Sequence, residues 1–280
     1  MYAAILPYLQ CVACGHSEMT LVSGREERGE VIEGGVQCQH CQHVVPIVDG
    51  ILDMLGDSPV SNTPAQRTNR MPIVAWGYER GWRWYALSLL SGEYFPLRRE
   101  LRLVCGLLAP RAGDLILDVA CSNGLYARAC ARVAPDAIIA GIDHSWPMLR
   151  QARRYARHAD YPISFVRATA QQLPFRSGCV AGYGMGASLN EIGDIDAMLR
   201  ETRRVLADDG RFVSMHLLCA KSRWGQLLQR SLATGGLEFP VDADLRDRFV
   251  EAGLQLRAEW RWRVVAIALL RRLALVRGVG

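Results

Sequence analysis

Two pairs of cysteines near the start of the chain have a spacing that suits a metal ion. Two residues separate the members of each pair, Cys11 with Cys14 and Cys38 with Cys41. Two such knuckles can bring four thiolates to one tetrahedral Zn²⁺, because each turn delivers two sulfurs to the same point. A closed set of four sulfurs leaves no open coordination position. We therefore expect a zinc ribbon whose metal is structural rather than catalytic.

The stretch LILDVACSNGLYARACA, residues 115–131, is a second place where the residue types could do chemistry. It predicts a buried strand, a tight turn and the start of a helix, and Asp118 ends the strand. Small residues stand at alternating positions in the turn: Ala120, Ser122 and Gly124. Because small residues let the backbone approach a ligand closely, this turn could hold a small molecule.

A second acidic residue ends the next predicted strand. The stretch AIIAGID places Asp143 25 residues after Asp118. A carboxylate at this point can accept hydrogen bonds from both hydroxyls of a ribose, which is why Rossmann-like folds carry an acidic residue there. Each aspartate also has an ordinary alternative: Asp118 as a helix N-cap and Asp143 as a turn residue.

The elements around these aspartates alternate between strand and helix. Five strands are predicted from residue 115 onward: LILDVA, AIIAGID, ISFVRAT, CVAGYGM and RFVSMHLL. Helices are predicted between and after them, including DIDAMLRETRRVLADDG, which we expect to stop at Gly210. The stretch QLRAEWRWRVVAIALL could supply a closing antiparallel pair. This alternation predicts an α/β fold, doubly wound, with a mostly parallel sheet and helices on both faces.

The composition allows one domain with a small module attached. The chain has 280 residues, half of them hydrophobic, and a formal charge of +5. We expect a zinc ribbon at 1–55, a linker at 56–70 that is rich in Pro, Ser, Asn and Gly, a helical lid or acceptor-binding segment at 71–110, and the core at 111–280.

Neither a secretory signal nor a membrane span is expected. The start MYAAILPYLQ lacks a basic region, and the apolar run VVAIALLRRLALV is short and broken by Arg271 and Arg272. We therefore expect a cytoplasmic protein, where closely spaced cysteines are more often metal ligands than disulfides. The oligomeric state is left open.

The turn at 118–124 resembles motif I of the class I S-adenosylmethionine-dependent methyltransferases, whose usual form is Asp-x-Gly-x-Gly-x-Gly. Further phrases resemble that family: HSWPMLRQAR its Ser-x-x-Met-Leu helix start, ATAQQLPF its Gly-Asp-Ala-x-x-Leu-Pro-Phe, and LNEIGDIDAMLRETRRVLADDGRFV its segment after motif IV. The resemblance covers about residues 100–220 and is nearest to quinone-biosynthesis enzymes with a methyltransferase type 11 domain. The stretch CQHCQHVVPIVDGILDML is similar to small zinc-ribbon proteins that accompany some methyltransferases.

This resemblance implies a seven-stranded Rossmann-like sheet and S-adenosylmethionine as the cofactor. Asp143 would bind the ribose, Met148 would lie near the adenine, and Thr169 replaces the usual Asp beside the adenine. The implied cofactor-binding residues are Asp118, Ala120, Cys121, Ser122, Gly124, Asp143, His144, Met148, Thr169, Ala170, Gln171, Met185 and Gly186.

The acceptor is expected to be a small, lipophilic or aromatic molecule. Aromatic residues crowd the segment 71–95, which could wall an apolar pocket or could simply pack a lid helix onto the sheet. The phrase YERGWR within it is similar to one in zinc-ribbon methyltransferases of plastids and bacteria. The candidate catalytic or acceptor-orienting residues are Tyr78, Arg83, Asn190, Glu191 and His216. For Glu191 the alternative is a carboxylate at a helix N-terminus, and for His216 a buried core histidine.

Two other functions stay open. One is an rRNA guanine methyltransferase that uses its zinc ribbon to grip RNA, although the stretch between Cys11 and Cys41 is net acidic, which opposes phosphate binding. The other is a degenerate, non-catalytic protein that keeps the fold as a binding partner, because glycines of motif I are replaced by Ala120 and Ser122.

Overall fold

A computed structural model of the protein describes residues 1–57 and 82–273. The N-terminal part is built from short strands that pair in sequence as an antiparallel meander. A short 3-10 helix at Ala3–Tyr8 precedes them. The strands are β1 (Met19–Glu27), β2 (Glu30–Cys38), β3 (Val44–Val48) and β4 (Ile51–Asp53). Most of the predicted linker, and the predicted site residue Tyr78, lie outside the described residues.

The rest of the described chain alternates strands and helices, as its sequence pattern predicts. The helices are α1 (Trp82–Ser91), α2 (Leu97–Leu108), α3 (Leu125–Val133), α4 (Trp146–His158), α5 (Ile195–Val205), α6 (Arg223–Ala233) and α7 (Asp242–Glu251). The strands are β5 (Leu115–Val119), β6 (Ile138–Asp143), β7 (Ile163–Arg167), β8 (Val180–Gly186), β9 (Leu206–Leu217), β10 (Leu254–Trp262) and β11 (Val265–Arg272). A second 3-10 helix spans Ser188–Asn190.

All these strands form one sheet in the order β1-β2-β3-β4-β7-β6-β5-β8-β9-β11-β10. The sheet has 11 strands, so the expected number of seven is wrong. The physical reason is that β4 pairs in parallel with β7, with Ile51 opposite Phe165 and Asp53 opposite Arg167. The edge of the predicted sheet is thereby covered by the N-terminal strands, which satisfies its free backbone groups.

Helices cover both faces of the parallel strands. On one face a cluster of buried side chains joins the sheet to α5 and α7, through residues such as Met198 and Phe249. On the other face a second cluster joins it to α2, α3 and α4, through residues such as Val104, Ala127 and Leu149. Every residue of β5 is buried, as expected for a parallel strand between two helical layers. The predicted doubly wound α/β class is confirmed at the level of the fold.

The expected end of the fifth helix is wrong. Helix α5 ends at Val205, and β9 begins at once because Leu206 pairs with Val180 of β8. Gly210, expected to stop the helix, instead lies inside β9. A Cβ atom there would lie 2.7 Å from the carbonyl oxygen of Val180, so the glycine allows two strands to approach closely.

Ion pairs hold the N-terminal strands against the core. Arg153 of α4 donates from Nε and Nη2 to the two carboxylate oxygens of Glu30 in β2, at 2.7 and 2.9 Å. Glu30 is 2% exposed. Arg167 at the end of β7 contacts both carboxylate oxygens of Asp53 at 2.9 and 3.1 Å. The acidity of the N-terminal part therefore has a structural use, because its carboxylates face arginines of the core.

Candidate functional site

The four cysteines of the two knuckles lie together. Their sulfurs are all within 4.8 Å of one another, with Cys11 to Cys41 and Cys14 to Cys38 each at 3.6 Å. A tetrahedron with zinc–sulfur bonds of about 2.3 Å has edges of about 3.8 Å, so these separations suit a single ion and are far too long for disulfide bonds. The cluster could therefore hold a metal ion, as the spacing predicts.

The turn after β5 has the backbone conformation that favours glycine, although alanine and serine occupy two of its positions. Ala120 and Ser122 have φ values of 53° and 48°, and Gly124 has 74°. All three lie in the left-handed region, which glycine enters at little cost and other residues at a cost of about 1–2 kcal/mol each. Gly124 is also the N-cap of α3. Ala120 and Ser122 therefore adopt a left-handed backbone conformation that is usually taken by glycine.

Asp143 joins this turn to the next strand. The carboxylate accepts a hydrogen bond from the Ser122 N–H at 2.9 Å on one oxygen and from the Ser145 N–H at 2.8 Å on the other. Asp143 is 7% exposed. Each carboxylate oxygen can accept a further hydrogen bond, so the side chain can hold the turn in place and still bind hydroxyl groups.

The predicted cofactor residues come from four neighbouring parallel strands, β7, β6, β5 and β8. Asp143 ends β6 and Gly186 ends β8. The turn with Ala120 follows β5, and Thr169 follows β7. Because the carboxyl ends of parallel strands share one edge of a sheet, the fold gathers at that edge residues that are up to about 70 positions apart in the chain.

Some of the predicted cofactor residues are packed into the core. Met185 is 0% exposed and belongs to the cluster beneath α5, while Met148 is 1% exposed. Gln171 donates from its amide to the carbonyl oxygen of Ile192 at 2.8 Å, which ties the loop after β7 to the one before α5. Cys121 is buried, and burial raises the pKa of its thiol well above the ordinary value. The structure gives these side chains packing and tethering contacts.

Asn190 is fully engaged with the backbone. Its amide nitrogen donates to the carbonyl oxygens of Leu217 and Glu238 at 2.7 and 2.6 Å, and its amide oxygen accepts from the Leu217 N–H at 2.8 Å. The residue is 1% exposed. Asn190 therefore fastens both ends of the segment between β9 and α7, which includes α6, and both N–H groups of its amide are used.

The other candidate catalytic residues lie in different surroundings. His216 is 0% exposed, its Nδ1 lies 3.1 Å from Ser214 Oγ, and its ring packs edge-on against Phe249. Burial lowers the pKa of His216 to about 4, so it is a neutral core histidine. Glu191 follows the 3-10 helix and is half-buried, and the N-cap of α5 is Asp194 instead. Arg83 is in α1, but its side chain is not among those described.

Sequence reasoning missed Asn123, which lies in the same turn. Asn123 is 0% exposed, and neither its amide nitrogen nor its amide oxygen has a hydrogen-bond partner among the described residues. It lines a small cavity with Asp118, Ser122 and Gly186. A buried amide without partners is costly, so an amide that lines a pocket there is a candidate ligand contact. Its position between Ser122 and Gly124, inside the predicted ligand-binding turn, could have identified it from the sequence.

A buried acid on α2 also reaches this site. Glu100 is 0% exposed and accepts a hydrogen bond from the Tyr126 hydroxyl of α3. The Tyr126 ring passes so close to Gly186 that a Cβ atom there would lie 2.9 Å from it. Spacing could have predicted this position, because Glu100 falls on the buried stripe of α2 with Leu97 and Val104.

Comparison with known proteins shows which proteins this part of the chain is similar to. Residues 116–210 match the family model described as "Methyltransferase domain". An uncharacterized chloroplastic methyltransferase from Arabidopsis thaliana is 29% identical over 199 residues, 67% of this chain and 55% of the relative. A demethylmenaquinone methyltransferase from Symbiobacterium thermophilum is 38% identical over 108 residues, 38% of this chain and 43% of that protein.

Solved structures agree on the fold. A geranyl diphosphate methyltransferase in complex with S-adenosylmethionine matches with a TM-score of 0.55 at 14% identity, over 62% of this chain and 84% of the other. A chain of the complex that contains the Haloferax volcanii Trm112 methyltransferase activator matches with a TM-score of 0.58 at 15% identity, over 77% of this chain and all of the other. These matches show a Rossmann-like fold.

The match over residues 116–210 agrees with the predicted methyltransferase class, and the activity of the chain stays a prediction. The chain spans about half the length of the two curated plant relatives that it matches, 55% of one and 52% of the other. Among the described residues no helix is long and apolar enough to cross a membrane. The plant relatives are chloroplastic, and a cytoplasmic location stays a prediction.

Proposed function

We propose that the protein transfers the methyl group of S-adenosylmethionine to a small, lipophilic or aromatic acceptor of quinone-like character. The observation that carries this proposal is the pairing of the left-handed turn at residues 120–124 with the Asp143 carboxylate at one sheet edge. The names of the relatives support the acceptor class, since several of them methylate quinones or naphthoquinones.

The residues at this edge fit the proposed cofactor. Asp143 would accept the ribose hydroxyls while it holds the Ser122 and Ser145 N–H groups. The unpartnered Asn123 amide lines the cavity behind this edge, which has room for one water molecule. The cavity behind the turn is small, about 20 Å³, so the nucleoside would lie outside it, across the carboxyl ends of the strands.

The proposed reaction requires little acid–base catalysis from the protein. The bound donor supplies an already activated methyl group on a sulfonium, so the chain must align an acceptor and exclude water. Of the described candidates, Asn190 is hydrogen-bonded to the backbone and His216 is buried and neutral, so neither is placed to remove a proton from an acceptor. Tyr78, Arg83 and Glu191 stay predictions for the acceptor side.

We also propose that the Cys11, Cys14, Cys38 and Cys41 cluster holds a structural Zn²⁺. The sulfur separations support one ion, and a four-thiolate shell leaves no position for a substrate. An RNA-gripping role for this part of the chain is less well supported, because the stretch between Cys11 and Cys41 is net acidic and its Arg25 is already paired with Glu27 and Glu33.

Calorimetry with S-adenosylmethionine tests the proposal. Replacing Asp143 with alanine should weaken donor binding at least about tenfold, since hydrogen bonds to a charged group contribute about 1.5–3 kcal/mol. Asp136→Ala is the control, because that residue is exposed and its side chain forms no hydrogen bond or ion pair with the described residues. Thermal unfolding of both variants separates lost affinity from lost folding.

Two results would contradict the proposal. If the unmodified protein gives no heat of binding with the donor, the result favours the alternative of a degenerate, non-catalytic protein. If Asp143→Ala binds as tightly as Asp136→Ala, the ribose contact is wrong. Mass spectrometry of cell extract incubated with the protein and methyl-labelled donor would then identify the acceptor class, and labelled RNA in place of a labelled metabolite would favour the rRNA alternative.

A further inference from the structure

In helix α6 the polar face lies against the protein and the apolar face is exposed. This is the reverse of a helix that packs on a core. Its polar side chains face the protein: Gln226 donates to the carbonyl oxygen of Ala220 at 3.0 Å, and Gln229 donates to that of Leu218 at 2.9 Å. The Gln229 amide oxygen accepts from the Ala220 N–H at 2.8 Å. No residue of α6 is buried. The helix is therefore attached through amides and not through its leucines.

The apolar residues of α6 point to solvent. They recur at helical spacing on one face and are exposed by 82%, 56%, 62% and 44% in Trp224, Leu227, Leu228 and Leu232. Single exposed leucines are common on protein surfaces, but a contiguous apolar helix face marks an interaction site. A tryptophan at its start is typical of residues that lie where an apolar phase meets water.

The charged residues nearest to this face along the chain are basic, and the first acidic residue after it is Glu238. Residues 218–237 contain Lys221, Arg223 and Arg230 and no aspartate or glutamate, and Lys221 is the only lysine of the chain. Within residues 1–57 and 82–273, no carboxylate forms an ion pair with any of the three. An apolar face flanked by cations is the pattern of helices that lie in the interface of anionic membranes.

The position of α6 links it to the candidate site. The helix belongs to the segment that follows β9 and whose two ends Asn190 fastens, through Leu217 and Glu238. Cys219 adds a backbone hydrogen bond to the carbonyl oxygen of Pro240 at 2.9 Å. Because β9 runs parallel to β8, this segment leaves the sheet at the carboxyl edge that carries the proposed donor site.

We propose that α6 is a membrane-interface anchor: its Trp224–Leu232 face enters the headgroup region of an anionic bilayer, and Lys221, Arg223 and Arg230 contact the phosphates. Such docking would place the carboxyl edge of the sheet near molecules dissolved in the bilayer. The proposed membrane docking is argued from α6 alone. Only the statement that docking brings the carboxyl edge near an acceptor in the bilayer rests on the proposed function.

Vesicle co-sedimentation tests the anchor without any methyl donor. We expect the protein to bind vesicles of phosphatidylcholine mixed with phosphatidylglycerol, to bind phosphatidylcholine alone much less, and to be released by salt. Leu228→Gln should weaken binding at least about fivefold, and Arg230→Glu should weaken it on anionic vesicles only. Val250→Gln is the matched control, because Val250 on α7 is 61% exposed against 62% for Leu228.

The results that overturn the anchor are distinct from those that overturn the enzyme. Equal binding of Leu228→Gln and Val250→Gln variants would refute it, as would equal binding to neutral and anionic vesicles. A monomer–dimer equilibrium that Leu228→Gln alone disrupts, with no vesicle binding, would assign the face to a second copy of the chain. Vesicle binding without donor affinity would leave the anchor standing and refute the proposed function.

Discussion

Replacing Ala120 and Ser122 by glycine should stabilise the protein. Both residues occupy left-handed backbone, with φ of 53° and 48°. That conformation costs a non-glycine residue about 1–2 kcal/mol, while glycine loses about 0.4–1 kcal/mol more through the entropy of the unfolded chain. The difference is a gain of about 0.5–1 kcal/mol per position. No side-chain hydrogen bond of Ser122 is present among the described contacts to offset it.

Differential scanning fluorimetry can measure this effect. The double variant should gain about 1–2 kcal/mol, which raises the Tm of a chain of this size by about 2–8 °C. The control is Ala131→Gly, a buried residue within α3, which should lose about 1 kcal/mol or more because its backbone is helical. If Ala120→Gly and Ser122→Gly lower the Tm as Ala131→Gly does, the left-handed backbone of the turn is not strained and the reasoning fails.

Three further predictions follow from buried or charged groups. His216 is neutral in the folded protein down to pH about 4 and titrates near 6.5 when unfolded, so stability present above pH 6.5 should fall by about 3 kcal/mol as pH drops through 4. His216→Leu should flatten that fall in urea unfolding measured against pH, and an unchanged slope would contradict it. Cys38→Ser should abolish the zinc found by elemental analysis and lower the Tm, as should a strong chelator, and full zinc retention would exclude Cys38 as a ligand. Glu30→Gln should cost about 2–4 kcal/mol by leaving Arg153 without its partner, whereas Glu33→Gln, whose side chain is 64% exposed, should cost under about 0.5 kcal/mol, and equal losses would refute the buried ion pair.

The parts of the site that come from local pattern were predictable. Strand β5, the turn after it and helix α3 follow one another within residues 115–133, so the sequence shows them directly. The two CxxC knuckles were also readable, since each depends on a single turn. Asp143 was predictable because the end of a parallel strand next to the turn is a fixed place in this kind of fold.

Other features depend on contacts between distant segments, which no local pattern records. The count of seven strands failed because β4 is only three residues long and acquires its place by pairing with β7, more than 100 positions away. Gly210 signalled a helix end by its type, yet its role comes from the carbonyl oxygen of Val180 in the neighbouring strand.

The amino-acid sequence by itself determined the fold class, the metal-type cysteine spacing and the candidate site at the carboxyl edge of the sheet, because hydrophobic period and turn chemistry act over a few residues. Tertiary structure alone decided which polar residues were free for chemistry. It engaged Asn190 with two distant carbonyl groups, buried His216 beside Phe249, and turned the leucines of α6 toward solvent. The reason is that burial and hydrogen-bond partners are set by segments that meet only after the chain has folded.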